Sequence, residues 1–240
     1  MVLSKWSVRI HKWVALIVGI QIFLWISGGL VMSVIPIEEV RGEHKVAVPV
    51  EYAFDPAGVI SLNDAALSAS ITEVRDGTLG HLLGDPVWRI TGTDGNLITV
   101  DALTGAVLSP IDEAKARAVA DADYSRDAAI VSASLVLDPP VEYGRPGPVW
   151  QVRFDDRDNT TLYIDPDRAQ IAARRSSTWR FYDFFWKLHV MDYDDGADFN
   201  HPLLITAAGA AIFVAFSGMI LLFIKMRRSW LIWRQKSRAD

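Results

Sequence analysis

Two histidines, His189 and His201, stand on either side of an acidic loop running from Asp192 to Asp198, and a third, His11, lies beside another apolar stretch of the chain. Imidazole is the commonest protein ligand for transition metals and a usual axial ligand of haem iron, and carboxylates add hard oxygen donors. The candidate chemistry is therefore haem ligation at His189, His201 and His11, or a metal site in which His189 and His201 join Asp194 and Asp198 in a two-histidine, carboxylate arrangement suited to iron. The loop fails the calcium template. Counted from Asp192, glycine falls at the fifth position rather than the sixth, and Leu203 stands where the bidentate glutamate is needed. His44 and His81 sit in no pattern and receive no role.

What positions these histidines is a pair of apolar segments. Trp13–Ile35 and Pro202–Ile224 each run 23 residues without a formal charge. At about 1.5 Å per residue such a run crosses a hydrocarbon core of roughly 30 Å with some tilt, so both are expected to be transmembrane helices. The first is too long for the apolar region of a secretory signal and no small-residue cleavage site follows it, so it reads as an uncleaved signal anchor. Lys5, Arg9 and Lys12 precede the first span, and six Lys and Arg residues follow the second, which places both termini in the cytoplasm and the intervening segment outside. The formal charge of −5 then divides into +8 on the two tails and −13 on residues 13–224. An acidic exterior domain argues against nucleic-acid binding, while the basic tails suit anionic lipid.

Depth sorts the histidines. His11 belongs to the cytoplasmic edge of the first span and His189 and His201 to the outer edge of the second, so only the latter pair can serve one centre inside a single chain. His11 would need a partner chain or a symmetry-related His11. A row of small residues, Ala208, Ala211, Ala215 and Gly218, with Ala15 and Gly19 on the first span, permits close helix approach in a homodimer or with another membrane partner.

Absences narrow the chemistry further. There is no cysteine, which excludes disulfides, thiolate metal sites and cysteine nucleophiles within the chain and fits a bacterial periplasm. No nucleophile elbow, zinc-protease helix, phosphate loop or dinucleotide fingerprint is present. Any reductase activity would draw its electrons from a separate cytoplasmic flavin reductase.

Between the spans the pattern repeats. The first copy opens at Ser61 with a capping box completed by Asp64, predicts a helix over 64–71, and continues into two strands, one carrying Pro86, Val87 and Trp88 and the next running from Leu97 through Asp101, with a third after the Thr104-Gly105 turn. The second copy predicts a helix starting at Ser109-Pro110, with proline in its first turn, and ending near Ala122. Strands containing Pro148, Val149 and Trp150, and then Thr161 to Asp165, follow around a polar turn at 155–159. Trp88 and Trp150 occupy equivalent places, as ligand-groove walls or as core residues.

Val100, Asp101, Thr104, Gly105 and Val107 fit a hydrophobic-Asp-x-x-Thr-Gly-x-hydrophobic ending that resembles the PepSY module, a helix laid on a small antiparallel sheet. In the second copy Asp167-Arg168 stands where Thr-Gly would, leaving its final turn open. With Arg9-Ile-His11-Lys-Trp at the start and Lys187-Leu-His189 before the last span, nearly the whole chain resembles the PepSY-associated transmembrane proteins. The resemblance implies an α+β extracytoplasmic domain of tandem PepSY-like repeats anchored by two transmembrane α-helices in the bacterial inner membrane. The implied organisation is a cytoplasmic segment 1–12, a span 13–35, a linker 36–57, repeats at 58–109 and 110–177, a juxtamembrane aromatic helix and acidic loop 178–201, a span 202–224 and a basic tail 225–240. It also implies two functions. One is an accessory or haem b-bearing electron-relay subunit in ferric siderophore acquisition; the other is a non-catalytic binding or protease-inhibitory module, since PepSY segments also resemble metalloprotease propeptides. A plain structural alternative stands beside them, in which His189, among Phe181, Tyr182, Phe185 and Trp186, belongs to an aromatic interfacial belt.

Overall fold

The computed structural model describes the chain apart from Met1, Pro49, Glu51, Phe199 and residues 237–240, and apart from the side chains of residues 2–8, 10, 11, 235 and 236. Two compact units emerge: residues 1–34 with 182–240, and residues 35–181.

The first unit is built on α1 (Val2–Val34) and α6 (Pro202–Lys236), which pack against each other. Within them Lys12–Val34 and Pro202–Arg234 are long and apolar enough to cross a membrane. Their apolar side chains are largely exposed, as expected where lipid, not protein, is the solvent. Of the small residues, Ala208, Ala211 and Gly218 are half-buried, whereas Ala215 is exposed. Gly19 and Gly218 have nothing within 4 Å of a would-be Cβ. The glycine used for close packing is Gly28 on α1, where a Cβ would lie 3.4 Å from the carbonyl of Phe185.

The second unit opens with a one-turn helix, α2 (Ile37–Val40), and holds both repeats. In the first, α3 (Leu62–Ser68) lies on a three-stranded antiparallel sheet of β1 (Val74–Leu82), β2 (Asp85–Gly92) and β3 (Leu97–Asp101). In the second, α4 (Glu113–Asp123) lies on a four-stranded antiparallel sheet of β4 (Ile130–Val136), β5 (Val149–Phe154), β6 (Thr161–Asp165) and β7 (Gln170–Arg175). Ser61 caps α3 as the capping box predicts, accepting from the Asp64 amide at 3.1 Å. The start of α4 differs from the expectation: Asp112 caps it, accepting from Lys115 N at 2.8 Å, and Pro110 lies ahead of the helix. Ser109 instead turns its hydroxyl to the amide of Thr99. The third strand expected after Gly105 is reduced to a single bridge between Val100 and Val107.

Both tryptophans are structural latches. The indole of Trp88 donates to the carbonyl of Ile60 at 3.0 Å, and that of Trp150 to the carbonyl of Ile111 at 2.9 Å. Each ties its sheet to the segment that enters its helix, which uses both the apolar body and the polar edge of the ring. The final turns also correspond. Asp101 accepts from the amides of Leu103 and Thr104, and Asp165 from those of Asp167 and Arg168, each pair within 2.8–2.9 Å. The residue that follows is left-handed in both, Gly105 at φ 78° and Ala169 at φ 52°. The counterpart of Thr-Gly is therefore Arg168-Ala169, one residue later than the sequence pattern suggests, and the turn survives without its glycine.

Leu82 and Val87 of the first repeat pack with Ile111, Val119, Val152 and Leu162 of the second in one buried cluster. The hydroxyl of Thr99 adds a cross-repeat bond to the carbonyl of Asp167 at 2.6 Å. The second sheet carries two ionic clusters as well. Lys45, almost fully buried, contacts Asp156 at 3.1 Å, Asp158 at 2.6 Å and the Thr160 hydroxyl at 2.9 Å. Glu142 receives Arg180 at 2.8 Å and the Tyr163 hydroxyl at 2.7 Å.

Candidate functional site

The helix that carries His189, α5 (Ser177–Val190), starts where Ser176 accepts from the Trp179 amide at 3.1 Å. Its aromatic sequence supplies the turns leading to His189, with Phe184 exposed and Phe184 and Phe185 in edge-to-face contact at 5.3 Å. His189 is half-buried and sits against Gly28, its Nδ1 3.9 Å from the position of a Cβ there. That Nδ1 is buried and has no hydrogen-bond partner. On the same helix as Gly28, Gln21 and Trp25 bury Nε2 and Nε1 in the same unpartnered state. Positions 21, 25 and 28 are spaced by four and three residues, so they share one stripe of α1. Three orphaned polar groups in a membrane-embedded unit are costly unless a further component satisfies them.

The acidic loop folds on itself. The Asp192 carboxylate accepts from the amides of Asp194 at 3.2 Å and Asp198 at 3.1 Å, and those bonds hold it below the ordinary carboxylate range. Asp195 accepts from Ala197 N at 3.0 Å and Asp198 from Asn200 N at 2.8 Å, a chain of Asx turns. The indole of Trp186 donates to the carbonyl of Gly196 at 3.0 Å, tying the loop back to α5. Among the described residues no group of three or more histidine and carboxylate side chains is gathered as metal ligands.

His201 begins α6 as a cap: its Nδ1 accepts from the amide of Leu203 at 3.3 Å. No hydrogen bond or ring contact joins it to His189. His11 lies in α1 and its side chain falls outside the described residues.

Haem iron takes an imidazole through a nitrogen lone pair while the other nitrogen carries the proton. In His189 Nδ1 is turned inward against α1, so Nε2 is the nitrogen that could meet iron, while a proton on Nδ1 finds no acceptor there. His201 does not suit that use as it stands. With Nδ1 accepting an amide, the neutral ring carries its proton on Nε2, which then has no lone pair for iron. If haem were held here, His189 is the imidazole that could ligate it, and His201 would first have to give up its helix cap.

Sequence reasoning located His189 and missed its neighbours. The readable signal was Gln21, an amide inside a charge-free span, with Trp25 and Gly28 following at helical spacing.

An α+β unit of two repeated helix-on-sheet modules, joined to a unit of two apolar membrane-length helices, defines a membrane-associated protein of PepSY type. The chain belongs to the family described as the PepSY-associated TM region, whose model matches residues 8–240. No curated protein and no solved structure matches it.

Proposed function

We propose that this membrane-associated PepSY protein is an electron-relay subunit in bacterial iron acquisition, holding haem b at His189 with the second axial ligand supplied by another copy of the chain or by a membrane partner. The observation that carries the reading is the placement of His189 on the aromatic helix α5 with Nδ1 packed against Gly28 of α1, which makes Nε2 the nitrogen that would meet iron. In this reading the protein sits in the inner membrane with both termini cytoplasmic, in keeping with the basic tails, and a cytoplasmic flavin reductase supplies the electrons. Bound haem would supply one-electron transfer toward ferric siderophores. The chain's own part is to orient the His189 ring by packing it on Gly28 and to exclude water from Nδ1.

The test is the absorption spectrum of the protein purified in mild detergent after haem supplementation. A low-spin Soret band that His189→Ala abolishes and His201→Ala leaves in place supports the reading. Absence of any Soret band, even after co-expression with a candidate membrane partner, overturns it. A second reading, a non-catalytic periplasmic module that binds peptide or restrains an envelope protease, draws on the apolar groove between the repeats lined by Val50, Leu82 and Val119. A colourless preparation that slows such a protease would favour it.

A further inference from the structure

Arg89, in the middle of β2, is a buried cation without a counter-ion among the described residues. Only 9% of it is exposed. Its Nε donates to the carbonyl of Arg168 at 2.8 Å and one terminal nitrogen to the carbonyl of His81 at 3.0 Å. The other terminal nitrogen lies over Gly80, where a Cβ would stand 2.8 Å away and oblige the guanidinium to shift. Carbonyls satisfy donors but do not neutralise charge, and arginine does not shed its proton. Among the described residues no carboxylate pairs with Arg89. The nearby carboxylate of Asp123 is taken by Arg174, and the charge felt at Arg89 is that of Arg168, of the same sign.

A second unsatisfied group lies on the opposite face of the β1–β2 ribbon, since Arg89 pairs with Thr78 and His81 with Pro86. His81 Nε2 is buried with no partner, its ring held between Tyr52 and Phe54 at 5.4 and 5.6 Å. Arg89 and His81 both line a groove of about 390 Å³ in the seam between the repeats, whose other walls, from Val50, Leu82, Val119 and Ile171, are apolar. A buried guanidinium lacking an anion and a groove with apolar walls are the complement of a carboxylate on a hydrophobic body.

We propose that the groove between the two repeats binds an organic carboxylate carried on an apolar body, with the carboxylate pairing with Arg89. The C-terminus of an apolar peptide and a fatty acid share this chemistry. The site stands in a segment of net negative charge, so recognition depends on the local cation rather than on the field of the domain. It is independent of the haem reading.

The experiment is calorimetric titration of the full chain in lipid nanodiscs, with empty nanodiscs as the blank. N-acetyl-Val-Phe and dodecanoate serve as acid probes, and N-acetyl-Val-Phe amide and dodecanol as neutral twins. Saturable binding of either acid, roughly tenfold or more weakened in its neutral twin, is expected from a charge-assisted pair, and the acid that binds more tightly identifies the source. Arg89→Gln should lower affinity by a similar factor. Because Arg89 also bonds two carbonyls, Val50→Trp provides the second variant: Val50 is 64% exposed, so the larger ring obstructs the groove without entering the core. Neutral twins that bind as well as the acids, no saturable binding of either acid, or undiminished binding to Val50→Trp would each overturn the proposal.

Discussion

In the first repeat Asp101 closes its turn through Leu103 and Thr104 and passes to Gly105; in the second, Asp165 does the same through Asp167 and Arg168 and passes to Ala169. The carboxylate that accepts two amides is common to both. The glycine is not, because one left-handed alanine costs only about 1 kcal/mol and the surrounding bonds compensate it. The repeats diverge in what else they carry. The three-stranded copy has no buried ion pair among its described residues, whereas the four-stranded copy binds Lys45 in the segment following α1 and Arg180 in the segment opening α5. Both leads toward the membrane helices are thus pinned on the second repeat, and the first repeat contributes packing and the seam with Arg89.

If that division of labour is right, the largest effect should come from Lys45→Met. It leaves Asp156 and Asp158 facing each other without their cation, and a loss of about 2–4 kcal/mol is expected, toward the low end because Asp158 is partly solvated. Thr93→Val, which removes an exposed bond to Glu73 in the first repeat, should change stability by less than about 0.5 kcal/mol. Thermal denaturation of the full chain in detergent compares them, and equal costs would erase the proposed asymmetry.

Acid should act through the same cluster. Burial alone would raise the Asp156 carboxyl, but bonds from Thr160, Tyr124 and Lys45 outweigh it and hold the group at about 2, against an ordinary 3.8. A carboxyl depressed in the folded state contributes stability above its unfolded value that is lost as the pH falls from near 4 through 2. Denaturant midpoints should therefore drop across that window, and Asp156→Asn should flatten the drop; an unchanged slope would show that other carboxylates dominate.

Smaller effects test the turns. Gly105→Ala should cost about 1–2 kcal/mol, since the left-handed backbone disfavours a side chain and a Cβ there would lie 3.1 Å from the Ser68 hydroxyl. The reverse change, Ala169→Gly, relieves strain but frees the unfolded chain, so a gain of no more than about 1 kcal/mol is expected. Should Ala169→Gly destabilise by as much as Gly105→Ala, the two turns are not equivalent.

Several elements were readable from local pattern. The two spans, the Ser61 cap, the paired tryptophans and the central strands of each sheet depend on composition, spacing or a cap that acts within a few residues. Strand β1 was not readable because Gly77 and Gly80 break its alternation, and the reasons for both lie far along the chain or across the sheet: a Cβ at Gly77 would stand 2.5 Å from Leu62, and one at Gly80 would meet Arg89. Edge strands β4 and β7 were likewise missed. Of the candidate site, His189 was legible and its packing on Gly28 was not. His201 looked like its partner by membrane depth, yet its Nδ1 accepts the amide of Leu203 at the start of α6.

The sequence by itself determined the membrane spans, the repeat and the family, because hydropathy and short-range hydrogen bonding are properties of neighbouring residues. Tertiary structure alone decided which polar groups are left without partners. Whether His189, Gln21, Trp25, His81 and Arg89 find an acceptor or an opposite charge depends on residues brought together from distant parts of the chain, and burial is what makes each unmet demand costly.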